Sequence, residues 1–511
     1  MNRTVPVGKL LVWGAVAVPI IATIWILSWM WGLNVVHWFT TGLREHAPFW
    51  TPVGIGIAAA VPAIVWAFRL RPTRLYEKTP KLYYVLNSVA AGAVVLGLGA
   101  GIWLAFTATH ARLHAYYEAA TDIVTAEPTD YADRAPYEVA EHTSEAVLKD
   151  VTGSVRPVKS ISEEGDHGLW TSLVLSNGPF NGYEAVQVMD LPLLGDLDPN
   201  KDVRFCRFDE TKKLRDSGSM PHNNLSRAIF EQVPLDVSYQ GGDVYGYCDG
   251  TTPIVVVPLT QLHGWWHPVS VFYGLAFLNG TTGEVTVTTD KQVIDATPGP
   301  TYPMSLAAIQ RMTLMASEGW VEMEIEHSSG YAQATQNTEV QLVSESSGAA
   351  DYVTTLMPRG SSQSIVGVST VPAKAQSPGT LNTIIVSLFP DGKARASNKN
   401  LEQSLRTSYG NIPDIANDKL DVFEITIGRG GDWVLTLGRE QSVSYRAYIS
   451  ADGKDIRLVN RFGETVSQAY SSEPGTAPSA PAVGDLTSMS DEELNTLGKA
   501  VLDELGRRLS K

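Results

Sequence analysis

Charged residues are absent from three long stretches near the start of this 511-residue chain. No Asp, Glu, Lys or Arg occurs from Leu10 to Val36, from Ala47 to Phe68 or from Leu82 to Thr109. Each stretch reaches the roughly 20 residues that a helix needs to cross the hydrocarbon core of a bilayer. The first is too long for the core of a cleaved signal peptide, and two more follow it. We therefore predict three retained transmembrane helices, with residues 1–109 as a membrane anchor.

Local catalytic signatures are also missing. The chain has no GxSxG, HExxH or P-loop motif and no GxGxxG sequence between a strand and a helix. These absences favour a protein without catalysis, although an acid and a base drawn from distant positions would leave no local pattern. Because no charged residue lies inside the apolar stretches, the usual sign of a transport or proton path is missing as well.

The basic residues between the apolar stretches predict the orientation of the chain. Five of them lie between the second and third stretches: Arg69, Arg71, Arg74, Lys78 and Lys81. The connection before them holds only Arg44, beside Glu45, and the N-terminus holds Arg3 and Lys9. Because Lys and Arg are retained on the cytoplasmic side, the N-terminus and the second connection are expected in the cytoplasm. We expect a multi-pass protein of the plasma (inner) membrane, with everything after His110 outside the cytoplasm.

The part of the chain outside the membrane is strongly acidic. The first 109 residues contain eight of the 39 basic and two of the 54 acidic residues, which leaves 31 basic and 52 acidic residues and a net charge of −21. Nucleic acid and anionic lipid headgroups repel such a domain. Nucleic acid is therefore excluded as a partner, and other envelope proteins or a second copy of the chain are expected.

Cysteine is almost absent, since Cys206 and Cys248 are the only two. An even count in an oxidising compartment predicts a disulfide between them. The bond would close a loop of about 40 residues and contribute roughly 3 to 4 kcal/mol in the chain-entropy model. Two thiols without a CxxC spacing argue against redox catalysis.

The domain after the anchor is predicted to be α+β and rich in antiparallel hairpins, in two lobes. Residues 110–152 are expected to form a helical stalk, 153–323 the first strand-rich lobe and 324–471 the second. The hairpins are indicated by turn sequences between apolar runs. The paired runs are 244–248 with 253–259, 269–278 with 284–288, 383–389 with 393–397, 422–428 with 433–438, and 442–450 with 455–461. A helix is expected from Ser305 to Ala316.

The last part of the chain has two further segments. Residues 472–484 have the Pro, Ala and Ser content of an extended linker. Residues 485–511 follow as an amphipathic helix, with a capping box at Ser490 and Glu493. Its apolar stripe consists of Leu494, Leu497, Val501, Leu505 and Leu509. The stripe either folds back on its own domain or docks on a partner.

Small residues in the apolar stretches predict close helix packing. Ala93, Gly97 and Gly101 share one face of the third stretch, and Gly54 and Ala58 have the same spacing in the second. Packing within the three-helix bundle is favoured over self-association or docking on a partner's helices.

Two groups could bind a ligand. The carboxylate and amide oxygens of Asp196, Asp198, Asn200 and Asp202 have the spacing that opens a calcium loop, but Lys201 stands where such a loop needs Gly. Calcium is therefore possible there, and a plain polar turn is the alternative. No other cofactor is expected.

Trp265 and Trp266 form the second group, in a loop rich in aromatic residues. They could contact a partner or a ligand by stacking, or they could simply cover the sheet.

The architecture favours a non-catalytic, membrane-anchored component of a cell-envelope assembly, such as a secretion, conjugation or surface complex. An extracytoplasmic ligand-binding or sensing protein, with Trp265 and Trp266 as a pocket wall, is one alternative. A hydrolase of an envelope polymer is another, and a cleft lined by close carboxylates would distinguish it.

Overall fold

The structure, a computed structural model, describes most of the chain between residues 33 and 467. The described ranges are 33–70, 80–126, 128–161, 168–177, 182–211, 224–327, 329–333, 340–343, 350–360, 362–390, 394–417 and 419–467. The helices are α1 (33–45), α2 (Ala47–Leu70), α3 (Pro80–Ala120), α4 (Tyr137–Ala146), α5 (Leu225–Phe230), α6 (Lys291–Ala296), α7 (Met304–Met312), α8 (Asn398–Ser408) and α9 (Pro413–Ala416).

The strands form four sheets within the described residues. Sheet 1 contains β1 (Thr121–Thr125), β12 (Tyr331–Gln333), β13 (Val340–Val343), β14 (Ala350–Pro358), β15 (Gly367–Pro372) and β16 (Ile384–Leu388). Sheet 2 contains β2 (Ser154–Val155), β3 (Lys159–Ser160), β4 (Leu169–Leu175), β5 (Tyr183–Asp190) and β6 (Val203–Arg207). Sheet 3 contains β7 (Val237–Ser238), β8 (Tyr245–Asp249), β9 (Thr252–His263), β10 (Val269–Asn279) and β11 (Val285–Thr288). Sheet 4 contains β17 (Asp421–Ile427), β18 (Trp433–Arg439), β19 (Ser442–Ile449), β20 (Ile456–Asn460) and β21 (Thr465–Val466), in that order across the sheet.

Two of the described helices are long and apolar enough to cross a membrane. The candidate spans are Ala47–Trp66 in α2 and Lys81–Ala120 in α3. Only 22% and 11% of their most apolar stretches are buried within the protein, so most of each surface is left for another apolar environment. The predicted stretch from Leu10 to Val36 lies mostly outside the described residues, and the count of three spans stays a prediction.

Glycine lets α2 and α3 approach closely. A Cβ atom on Gly97 would lie 2.8 Å from the carbonyl oxygen of Pro52 and 3.0 Å from the Cα of Gly56. A Cβ on Gly56 would lie 2.6 Å from the carbonyl oxygen of Ala93, and one on Gly101 would lie 2.9 Å from that of Phe49. The small residues of the third stretch therefore pack on α2.

The small residues predicted for the second stretch lie elsewhere. Gly54 and Ala58 are exposed, and a Cβ on Gly54 would have open space around it. Gly56, two positions along the helix from each, makes the contact because it points to the opposite side of α2.

Helix α3 runs directly into the strand-rich domain. Its 41 residues span about 60 Å at 1.5 Å per residue, about twice the thickness of a bilayer core. Tyr116, in the last turns, is buried in the domain core, and its hydroxyl oxygen accepts the backbone N–H of Ser270 at 2.5 Å. The next residue after the helix, Thr121, begins strand β1, which pairs with β16 in parallel.

The predicted helical stalk is therefore interrupted by a strand. Thr121, Ile123, Val124 and Thr125 are β-branched, which favours an extended backbone over a helix. Within residues 110–152, helix occurs up to Ala120 and again in α4.

Four of the five predicted hairpins are present. They are the antiparallel pairs β8–β9, β10–β11, β17–β18 and β19–β20. The pairing of 383–389 with 393–397 is wrong, because β16 already has β15 on one side and β1 on the other. Ser397 instead caps helix α8 by accepting the N–H of Asn400. The predicted helix after Ser305 is α7, which continues in a 3₁₀ turn, Thr313–Met315.

The largest apolar core draws on both sides of the expected boundary between the lobes. Leu306 and Leu314 precede residue 323, and Tyr352, Leu356 and Ile384 follow it, yet all five belong to one buried cluster. A second cluster lies between sheet 4, α8 and sheet 1. The two-lobe arrangement is thus not confirmed and stays a prediction.

The α2–α3 contact predicts that the effect of a glycine-to-valine substitution on stability depends on its position in α3. Gly97→Val places a side chain against the backbone of Pro52 and Gly56, so the free energy of unfolding should fall by about 1 to 3 kcal/mol. Gly99→Val, in the same helix with open space around its Cβ, should change it far less. Unfolding by sodium dodecyl sulfate in mixed micelles, followed by circular dichroism, measures both; equal losses would contradict the packing.

A largely buried carboxyl on β14 predicts a pH dependence of stability. Burial raises the pKa of Asp351 from 3.8 to about 7. Between these values the folded protein holds a proton that the unfolded chain has released, so stability falls as pH rises from about 4 to 7. Asp351→Asn should therefore raise the free energy of unfolding at pH 8 by up to about 4 kcal/mol, with the gain shrinking toward pH 4. Asp122→Asn, at an exposed position of β1, is the control in the same unfolding measurement.

Candidate functional site

The last turns of α1 and the residue that joins α1 to α2 (37–46, which we call the α1–α2 connection) are held against the strand-rich domain. Arg44 Nη1 lies 2.6 Å from Asp236 Oδ2, and Nη2 donates to the carbonyl oxygen of Gly264 at 3.2 Å. About two turns earlier in α1, the ring of His37 stacks on Phe230 with centroids 4.2 Å apart, and His37 is buried. The connection and the domain therefore lie at the same end of the α2–α3 pair.

The tip of the β9–β10 hairpin touches α2 itself. Trp265 lies in this tip, and its indole N–H donates to Thr51 Oγ1 at 3.0 Å. A further ion pair joins Glu45 to Arg112 of α3 at 3.5 Å. The domain is thus attached to the helices through α3, through the α1–α2 connection and through this hairpin. We call these contacts together the membrane junction.

A polar cleft opens at one end of sheet 4. Its volume is about 670 Å³, within the range of ligand-binding clefts. It is lined by Ala132, Asp133, Leu193, Arg429, Asp432, Val434, Tyr448, Ser450, Asp455, Ile456 and Arg457. Three of these side chains are acidic and two are basic. A surface with both signs of charge suits a polar partner, such as a protein segment or a sugar, better than an apolar one.

Strand register brings the cleft residues together. Trp433, Ile449 and Ile456 are paired across β18, β19 and β20. Asp432 and Asp455, which directly precede β18 and β20, therefore lie at the same end of these strands. The guanidinium of Arg457 lies over the ring of Tyr448, 4.4 Å from its centroid. The Tyr448 hydroxyl donates to Asp133 Oδ2 at 2.5 Å. Burial and this carboxylate raise the pKa of Tyr448, so its hydroxyl keeps the proton that it donates.

A buried ion pair supports the wall of the cleft. Arg134 Nη2 lies 2.8 Å from Glu424 Oε1, and both side chains are almost fully buried. The same Glu424 oxygen accepts the backbone N–H of Tyr137 at 2.7 Å, and Arg446 donates to the carbonyl oxygen of Arg134. The guanidinium of Arg134 also lies 4.9 Å from the ring centroid of Trp170 in sheet 2. These bonds hold the segment that carries Asp133 against sheet 4.

The predicted disulfide is present. Cys206 on β6 is bonded to Cys248 on β8 with an S–S distance of 2.02 Å. Because β6 belongs to sheet 2 and β8 to sheet 3, the bond joins two sheets that share one core. Its place in the core and away from the cleft makes it a structural bond.

The four residues of the predicted calcium loop make contacts within the protein. Asp198 Oδ1 accepts the N–H of Asn200 at 3.0 Å, and Asp202 Oδ2 accepts the N–H of Asp198 at 2.8 Å. Asp196 accepts a hydrogen bond from Ser442 and lies 3.5 Å from Arg461. These contacts describe a polar turn beside sheet 4, and a calcium site there stays a prediction.

The other predicted contact residues have different places. Trp265 and Trp266 are 47% and 48% exposed at the membrane junction. Ala93, Gly97 and Gly101 lie against α2. The tail residues Leu494, Leu497, Val501, Leu505 and Leu509 lie outside the described residues, as does the linker at 472–484.

Sequence reasoning missed the residues of the cleft and most of the membrane junction. Asp133 and Tyr448 are 315 positions apart, and Arg44 and Asp236 are 192 apart. No local spacing connects residues so distant. The only signal was compositional: Arg44 is a rare charge beside an apolar stretch.

Comparisons with models of protein families, with curated proteins and with solved structures find no match for this chain. A function for this chain must therefore be inferred from the geometry of the membrane junction and of the cleft.

The Arg44–Asp236 pair predicts a measurable coupling energy. Both side chains are about three-quarters buried, so Asp236→Arg should lower the free energy of unfolding, and adding Arg44→Asp should restore part of the loss. We expect a coupling of about 1 kcal/mol in a double-mutant cycle. The pair Lys291–Asp295 on α6, which is more than half exposed, is the matched control and should give about 0.3 kcal/mol. Equal couplings would contradict a specific contact at the membrane junction.

Proposed function

We propose that this chain is an integral protein of the plasma (inner) membrane that holds a strand-rich domain outside the cytoplasm and binds other cell-envelope proteins. It acts as a non-catalytic component of an assembly. The observation that carries the proposal is the polar cleft of sheet 4 on a domain directly attached to two apolar helices.

The membrane junction supports the proposed orientation. The α1–α2 connection contacts the domain through Arg44 and Asp236, so both belong on one side of the bilayer. The basic residues between Arg69 and Lys81 lie in the connection at the other end of the helix pair. Since basic connections stay in the cytoplasm, the domain lies outside it.

The chemistry of the cleft supports a protein partner. Tyr and Arg are the residue types that most often dominate binding energy at protein interfaces, and Tyr448 and Arg457 form a stacked pair in this cleft. Asp133 accepts a hydrogen bond from the Tyr448 hydroxyl, so the ring is positioned before a partner arrives. Such preorganisation lowers the entropy cost of binding.

Charge reversal in the cleft tests the proposal. Envelope proteins cross-linked to the full chain in intact cells are purified in mild detergent and identified by mass spectrometry. Arg457→Glu should reduce their capture roughly tenfold or more, because it removes a stacked cation and adds a fourth acidic group. Lys291→Glu, an equal charge change at an exposed position of α6, should leave capture unchanged.

Two results would contradict the proposal. One is a chain recovered without partners both before and after the substitutions. The other is capture that Arg457→Glu and Lys291→Glu reduce to the same extent, since the loss would then follow net charge and not the cleft.

The carboxylates of the cleft favour hydrolysis of an envelope polymer as a second candidate. Asp432 and Asp455 lie at the same end of sheet 4, before the two strands that flank β19. Asp133, the third, is engaged by Tyr448 and lies 3.6 Å from Arg446. Protein binding is favoured over hydrolysis because Asp133 positions Tyr448 by accepting the hydrogen bond from its hydroxyl.

A further inference from the structure

The hairpin tip of sheet 3 is an exposed aromatic surface at the height of a membrane helix. Trp265 and Trp266 are about half exposed. The Trp265 indole donates to Thr51, which is the fifth residue of the candidate span beginning at Ala47. Trp50, the neighbour of Thr51, is itself 50% exposed. The tip therefore lies beside the first turns of a helix that is apolar enough for lipid.

A second part of the domain contacts α3 nearer to the C-terminal end of that helix. The ring of Trp320 packs on Phe106 with centroids 5.4 Å apart. Val321 and Ile325, which share one face of the helical turn after Trp320, are 50% and 61% exposed. Met323, between them, is buried against Leu113. This turn thus has an inner side that holds α3, whereas on its outer side Val321 and Ile325 stand beside the exposed carboxylates of Glu324 and Glu326.

The hairpin tip and this turn lie at different heights. Gly101 packs on Phe49 and Gly97 on Pro52, which places Thr51 level with residues 97–101 of α3. Leu113, which Met323 contacts, lies at least twelve residues farther along α3, about 18 Å at 1.5 Å per residue. One interfacial region of a bilayer is roughly 5 to 8 Å thick. The hairpin tip is therefore the surface that fits the boundary between headgroups and acyl chains, and the turn lies beyond it.

Tryptophan chemistry identifies the occupant of this surface. The indole ring is apolar with one polar N–H, and Trp is enriched where lipid meets water. The net charge of −21 on residues 110–511 rules out attraction to anionic headgroups as the driving force. Because the domain is attached to its own membrane helices, a weak apolar contact becomes intramolecular and is strongly favoured.

We propose that the hairpin tip with Trp265 and Trp266 rests in the outer lipid interface of the bilayer that α2 and α3 cross. This contact restrains the tilt of the domain on the membrane. The proposal depends on the membrane anchor of the proposed function, and a quenching experiment with separate lipid and water controls distinguishes the two.

Site-specific quenching tests the contact in the full chain. A cysteine is introduced by His267→Cys, which keeps both tryptophans, and is labelled with an environment-sensitive fluorophore without reducing Cys206–Cys248. The protein is placed in phosphatidylcholine nanodiscs. Quenching by brominated acyl chains is compared with quenching by iodide in water. Leu96→Cys, on the exposed face of α3, and Phe462→Cys, in the turn after β20, are the lipid and water controls.

The expected result is lipid quenching at position 267 that exceeds that at position 462 roughly twofold or more, with weaker iodide quenching. Adding Trp265→Ser and Trp266→Ser should return position 267 to the behaviour of position 462. If position 96 is quenched by lipid while position 267 matches position 462, the lipid contact of the hairpin tip is wrong and the membrane anchor stands. If the label at position 96 is also quenched by iodide and not by lipid, the proposed membrane anchor is wrong. Shielding of 267 from both quenchers indicates a protein cover and overturns the lipid contact.

Discussion

The direct passage of helix α3 into strand β1 is the constraint on which the rest of the architecture depends. Ala120 ends the helix and Thr121 begins a strand paired in parallel with β16, so no linker separates an apolar helix from the sheet. Tyr116 is buried in the same core as sheets 1 to 3. A rotation of the domain about α3 would therefore have to break backbone hydrogen bonds and expose a buried aromatic ring.

The membrane junction restrains the same motion from the other helices. Arg44 holds both Asp236 and the Gly264 carbonyl, and these belong to different segments around sheet 3. Contacts at three places around two helices define an orientation, whereas a single tether would leave it free. A domain attached in this way keeps one orientation relative to α2 and α3.

The cleft depends on a buried charge pair that supports its wall. Arg134 and Glu424 are both shielded from water, and each also bonds to the backbone or contacts an aromatic ring. Removal of either partner would leave an uncompensated buried charge, which typically costs about 3 to 5 kcal/mol. The pair therefore specifies how the segment around Asp133 lies on sheet 4. Neither residue stands in a recognisable motif, so sequence reasoning had no means of finding the cleft.

The sequence by itself determined the apolar helices, four antiparallel hairpins and the disulfide. Bilayer-length apolar runs and turn sequences act locally, and two cysteines allow one intramolecular pairing. Only the tertiary structure decided that Thr121 begins a strand, that 394–397 leads into a helix and that the hairpin tip at Trp265 meets α2. Each of these depends on which strand edges and side chains are already occupied by residues far away in the chain. That information is a property of the packed molecule and leaves no periodic pattern in the sequence.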